Sequence, residues 1–173
     1  MAKEVKTAAA ALEAAYSGRF ENTLIIAPPG LGKTTLLRDI VRRLSDKGTR
    51  LSVVDERGEI AAAVSGVCGF DVGKCTDVLT GCPKAEGILM MLRAMNPQII
   101  AVDEITAPED IAALDTCRSC GVGLLATVHG HNAADTVSRP IMRQLLTSGI
   151  FPVTAAIMGN SRRIVIERRY GPC

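Results

Sequence analysis

The residues best suited to chemistry begin in Leu24-Ile25-Ile26-Ala27-Pro28-Pro29-Gly30-Leu31-Gly32-Lys33-Thr34-Thr35. There an apolar run enters a Pro/Gly loop that ends in Gly-Lys-Thr, and an amphipathic pattern follows. Strand, loop and helix in that order are the setting in which such a loop cradles phosphate, so Pro29 to Thr35 is the candidate nucleotide-binding segment. Gly30 and Gly32 let successive backbone N–H groups turn inward as a nest. Lys33 brings a point charge for the β- and γ-phosphates, and Thr34 a hydroxyl for Mg²⁺. The start of the following helix adds a favourable partial charge. Ala27 stands where such loops usually open with glycine, which costs little if that residue needs no left-handed backbone.

A second cluster lies at Gln98-Ile99-Ile100-Ala101-Val102-Asp103-Glu104, an apolar strand ending in two carboxylates. Beside a Gly-Lys-Thr loop, that pair suits metal-assisted phosphoryl transfer: Asp103 reaches Mg²⁺ directly or through water, and Glu104 orients or deprotonates the attacking water. Asp55-Glu56-Arg57-Gly58-Glu59 leaves another strand at its C-terminal end, where parallel sheets bind ligands. It reads as part of a site or as a loop of solvated charges. His129 ends a further apolar run, and it reads as structural or as a sensor of the γ-phosphate.

These residues need a scaffold, and 173 residues suffice for one domain with a substantial core. Hydrophobic residues at 47% and charged residues at 22% argue against disorder, and aromatics at 3% imply an aliphatic interior. A net charge of +2 selects no partner. No apolar run reaches the ~18–20 residues of a membrane span, and no signal-peptide pattern follows Met1, so a cytosolic chain is expected. In that setting the six cysteines read as small buried or half-buried thiols rather than disulfides, with Cys117 and Cys120 at a zinc-like spacing that lacks a second pair.

Helical periodicity predicts helices over Glu4–Ser17, from Lys33 to Gly48, from Pro83 to Asn96 and from Pro108 to Gly121. Shorter ones are expected after Gly130-His131-Asn132 and from Pro140. Strands are predicted at Asn22–Ala27, Thr49–Val54, Gln98–Val102 and Val122–Val128. Pro152–Met158 and Arg162–Arg168 form a terminal hairpin. Ala61–Gly81 reads as a surface excursion with little regular structure, Met90-Met91 as core filling, and Arg38, Arg42 and Arg43 as a solvated helix face. Arg162, Arg163, Arg168 and Arg169 make a basic patch, a solvated edge or a protein or anion contact. The alternation of strands and helices predicts a three-layer α/β fold around a mainly parallel sheet.

Five stretches carry a resemblance: Pro28–Asp39, Val53–Ala61, Asp77–Gly87, Asp103-Glu104-Ile105 and Thr127-Val128-His129-Gly130. Together, in this order, they resemble the stage III sporulation AA family of the secretion-ATPase superfamily, whose other members are type II and type IV secretion and pilus motors. The resemblance implies a RecA-like P-loop NTPase domain at residues 19–173, with residues 1–18 a helix or linker from an upstream domain that this sequence lacks. It places the superfamily's four nucleotide boxes on Ala27–Thr34, Asp55-Glu56, Asp103-Glu104 and His129, and so adds Glu56 and His129 to Glu104 as catalytic candidates. It implies ATP and Mg²⁺ as ligands and a ring, a hexamer when full length, at the inner face of a membrane. There it would work in the mother-cell cytoplasm with channel proteins of a sporulation complex, energising passage to the forespore. Without the upstream domain a weak ATPase, even a monomer, is expected, and Arg57, Arg93, Arg118 and Arg139 are candidates to complete a site across subunits. Two other readings remain: a RecA-like nucleic-acid motor, which the near-neutral charge and missing aromatic groove disfavour, and a nucleotide-gated assembly protein with little turnover.

Overall fold

A computed structural model describes residues 12, 18–131, 140–159 and 163–168. A seven-stranded sheet runs in the order β3-β2-β4-β5-β1-β6-β7, with β1 Thr23–Ala27, β2 Leu51–Asp55, β3 Thr76–Thr80, β4 Ile99–Val102, β5 Gly123–His129, β6 Val153–Met158 and β7 Arg163–Arg168. All pairings are parallel except β6 with β7. The helices are α1 Lys33–Asp46, α2 Lys84–Met95, α3 Pro108–Ser119 and α4 Pro140–Thr147.

The period of two along each strand sorts the apolar side chains into two cores. Ile25, Val53, Ala101 and Leu125 face α1, where Leu36, Leu37, Ile40, Val41 and the helical Leu12 meet them. Leu24, Ile26, Val54, Ile100 and Leu124 face Ile88 of α2, Leu114 of α3 and Leu145 of α4. Both faces of the central strands are therefore covered, which gives the three-layer α/β architecture. The predicted hairpin is present, with Val153 opposite Arg168 and Met158 opposite Arg163.

Three expectations are corrected. The stretch read as an excursion contains β3, which pairs along its whole length with β2, from Leu51↔Thr76 to Asp55↔Thr80. An edge strand needs only one good face, so the short Val78-Leu79 run amid Gly and Cys gave little sign of it. Met91 is buried in the core, but Met90 is 51% exposed on the other side of α2. Arg38 is not solvated: its Nε and Nη2 donate to Ile60 O at 2.5 Å and Glu59 O at 2.7 Å, and its guanidinium lies 3.8 Å from the centre of the Phe70 ring. Arg42 and Arg43 do sit on a polar face, bonded to Asp39 at 3.0 and 2.9 Å. In the basic patch Arg168 pairs with Glu21 at 2.8 Å. Arg162, Arg169, the rest of the Glu4–Ser17 helix and the segment after His131 up to Arg139 lie outside the described residues.

Candidate nucleotide site

The loop after β1 turns through left-handed backbone at Gly30 (φ 77°) and Gly32 (φ 92°), conformations that side chains other than glycine's adopt only with strain. Ala27 has no such requirement. It ends β1 in register with His129 of β5, and its carbonyl accepts the Gly130 N–H at 3.2 Å. Gly32 is the N-cap of α1, no side chain caps that end, and its first turn holds no acid. The free N–H groups and positive dipole end are thus left open toward the loop.

Strand order brings the candidate side chains together, since β1, β5 and β4 are neighbours. Thr34 Oγ1 donates to Asp103 Oδ2 at 3.0 Å. Asp103 Oδ1 accepts the Thr127 hydroxyl and, at 3.0 Å, the Glu104 N–H. Lys33, only 8% exposed, has its Nζ 3.4 Å from His129 Nε2, and the same ring nitrogen lies 3.2 Å from Glu104 Oε1. One ring nitrogen cannot serve both neighbours. Bare, it accepts from the Lys33 ammonium; protonated, it donates to Glu104. His129 Nδ1 is buried without a partner, so no hydrogen bond on that side fixes the tautomer. The other oxygen of Glu104, Oε2, is bound by Arg57 Nη1 at 2.9 Å.

The Asp55-Glu56 stretch divides its labour. Asp55 is buried, and its carboxylate accepts N–H groups of Ile60 at 3.1 Å and Ala61 at 2.8 Å, so it shapes its own loop. Glu56 is half exposed and reaches Lys84 Nζ at 3.5 Å. Arg38 fastens the same loop to α1. Desolvation by burial lowers its pKa, with Asp55 and Asp103 pulling the other way. Of the arginines expected to act across subunits, Arg57 binds Glu104 within the chain and Arg118 pairs with Asp115 at 2.7 Å. Arg93 is exposed on α2, and Arg139 lies outside the described residues.

Sequence reasoning gave no role to Thr127 or Lys84. Both sit where a strand or helix ends at the crevice, the signal that could have marked them. A cavity of about 890 Å³ lies at the opposite end of the strands, among Arg19, Arg50 and Arg118, remote from this constellation. A smaller one of about 250 Å³ adjoins Glu104 and His129 and is walled by Val128, Ile141 and Met142.

The residues present fit a nucleotide with Mg²⁺. The Thr34 hydroxyl and Asp103 carboxylate are hard oxygen donors, and Lys33 lies beside the uncapped helix start. Among the described residues no group of three or more His, Cys, Asp or Glu could hold a metal.

Solved structures share this architecture. The VirB11 ATPase from the Brucella suis type IV secretion system, in complex with sulphate, superposes with a TM-score of 0.62 at 16% identity, covering 95% of this chain and 50% of that one. The pilus retraction motor PilT with bound ADP gives 0.61 at 17% identity, covering 95% and 51%. The fold is therefore the RecA-like α/β fold of the secretion ATPases. Within that class the chain belongs to the family described as Sporulation stage III, protein AA, which matches residues 1–165. Stage III sporulation protein AA of Bacillus subtilis (strain 168) is 42% identical over 163 residues, 91% of this chain and 50% of that protein. The chain thus spans half the length of that relative. Among the described residues no helix is long and apolar enough to cross a membrane.

Proposed function

We propose that this chain is the ATP-binding and ATP-hydrolysing part of a sporulation motor that drives transport through a channel between mother cell and forespore. The observation that carries the reading is the continuous set of contacts joining Thr34, Asp103, Thr127, Glu104, His129 and Lys33 across the ends of three adjacent strands. Four of those six, Lys33, Thr34, Asp103 and Glu104, are the kinds of group that phosphoryl transfer to water uses.

In the proposed reaction the Pro29–Thr35 loop holds the phosphates through the backbone N–H groups from Gly30 onward, and Lys33 offsets the charge on the β- and γ-phosphates. Bound Mg²⁺, held by Thr34 and Asp103, would neutralise charge that develops on the phosphate oxygens. Glu104 orients the attacking water and takes its proton as the water oxygen bonds to the γ-phosphorus and the bond to the departing ADP oxygen breaks. His129, within reach of both Lys33 and Glu104, reports whether a γ-phosphate is in place. Glu56 acts from the rim.

Residues 19–173 form the ATPase domain in this proposal and residues 1–18 lead in from a preceding domain. The whole protein works as a ring, a hexamer, at the inner face of the mother-cell membrane with channel proteins of the sporulation complex. The chain alone is a weak ATPase. The test is Glu104→Gln: ATP binding is expected to persist and turnover to vanish, and an unchanged rate removes Glu104 from its role.

One observation favours a second reading, a nucleotide-gated assembly protein with little turnover: both carboxylate oxygens of Glu104 are already engaged, by Arg57 and His129. Single-turnover kinetics on the full-length protein in membranes separates the two. A burst of ADP formation marks the motor, and bound, unhydrolysed ATP marks the gate.

A further inference from the structure

Lys84 stands in a place that a lysine should avoid. It is the first residue of α2, where the helix dipole opposes a cation, and its side chain is 8% exposed, so its charge is also largely desolvated. Neither its helix nor the apolar core gains from the ammonium, yet the group has specific partners. Nζ donates to the backbone carbonyl of Glu104 at 2.6 Å and lies 3.5 Å from Glu56 Oε2.

Glu104 itself needs holding. Its φ of 41° lies in the left-handed region that costs a non-glycine residue energy, and such strain persists only where the surroundings impose it. The N–H side is fixed by Asp103 Oδ1 at 3.0 Å and Thr127 Oγ1 at 2.9 Å. The carbonyl side is fixed by Lys84. The fold brings that lysine into range through Gly87, one turn along α2: a Cβ there would lie 2.8 Å from Val54 Cγ1, so α2 can rest on β2 only because that side chain is missing. Both Lys84 and Gly87 belong to the Asp77–Gly87 stretch, which the nucleotide reading left without a task.

We infer that Lys84 is the positioning residue of Glu104: its ammonium clamps the Glu104 carbonyl so that the carboxylate faces the crevice, and it relays the presence of Glu56 to that clamp. The inference rests on the proposed role of Glu104 in hydrolysis. It also gives Glu56 a part that needs no contact with the nucleotide.

The test compares Lys84→Met, Lys84→Arg, Glu56→Gln and Glu104→Gln in the same chain, reading the Kd for ATP separately from kcat. Lys84→Met keeps the stem and removes the donor, so kcat is expected to fall about tenfold or more while Kd stays within about twofold. Lys84→Arg, which retains donor and charge, is expected to recover much of the loss, which a merely packing role would not predict. Glu56→Gln, at an exposed position outside both cores, is expected to lower kcat a few-fold with Kd unchanged. A parental kcat in Glu56→Gln and in the Lys84 variants that fold, with Glu104→Gln inactive, overturns the clamp and leaves the motor reading standing. A Kd that weakens in step with kcat in Lys84→Met overturns it as well, assigning Lys84 to the nucleotide pocket. A parental rate in Glu104→Gln instead overturns the hydrolysis role on which the clamp depends.

Discussion

The Thr127 hydroxyl stands between the Asp103 carboxylate and the Glu104 backbone: it donates to Asp103 Oδ1 and accepts the Glu104 N–H at 2.9 Å. One buried side chain on β5 thereby sets both the candidate metal ligand and the candidate base that follow β4.

Thr127→Val keeps the β-branch and the packing but leaves the partly buried Asp103 carboxylate one donor short. A loss of about 1–3 kcal/mol is expected in urea denaturation, with a fall in ATP turnover. Thr127→Ser should restore much of both, because it returns the hydroxyl.

At Gly87 two effects oppose each other. Alanine would improve helix propensity by about 1 kcal/mol. Its Cβ, however, would meet Val54 Cγ1 at 2.8 Å, and Val54 is 1% exposed and stiff at its branch, so the overlap should cost about 1–3 kcal/mol. Gly87→Ala is expected to lower stability, and Val54→Ala in the same chain to relieve part of the loss. A denaturation cycle over the two single variants and the pair measures the coupling.

Asp55→Ala should act on architecture before chemistry. It removes the acceptor of the Ile60 and Ala61 N–H groups, so about 2 kcal/mol or more of stability should go, with those two amides exchanging faster with deuterium than in the parent.

Burial, with Cys120 adding to it, pushes the Cys117 thiol up to about 11. The folded value is the higher one, so ionisation favours the unfolded chain. The contribution of Cys117 to stability is complete below pH 9 and is lost as the pH rises toward 11. Denaturation midpoints between those limits should fall, and the slope should flatten in Cys117→Ala. At pH 8 iodoacetamide should label the exposed Cys68 and Cys120 and reach Cys117 only after unfolding.

The phosphate loop, the β4 carboxylates and most of the layering were legible because each is written locally: an apolar run, a turn and a periodic helix. Thr127 could be read as sitting at a strand tip, but its two hydrogen bonds depend on β4 and β5 being neighbours, which no local pattern states. Lys84 was hidden by the same cause, since its reach to Glu104 depends on the close approach of α2 at Gly87. β3 was missed because a half-covered edge strand needs little hydrophobicity. The charges of Arg38 were visible, but their targets are carbonyls, which a sequence does not display.

β1 lies inside the sheet, where Thr23 pairs with Leu125 on one side and with Val153 on the other. The strand that carries the phosphate loop precedes both of its neighbours in the chain. On a ribosome, the nascent chain would expose that apolar strand until β6 emerged. Long-range parallel pairings of this kind close slowly. The competence to bind nucleotide should therefore arise only after β6 has been made and has paired with β1.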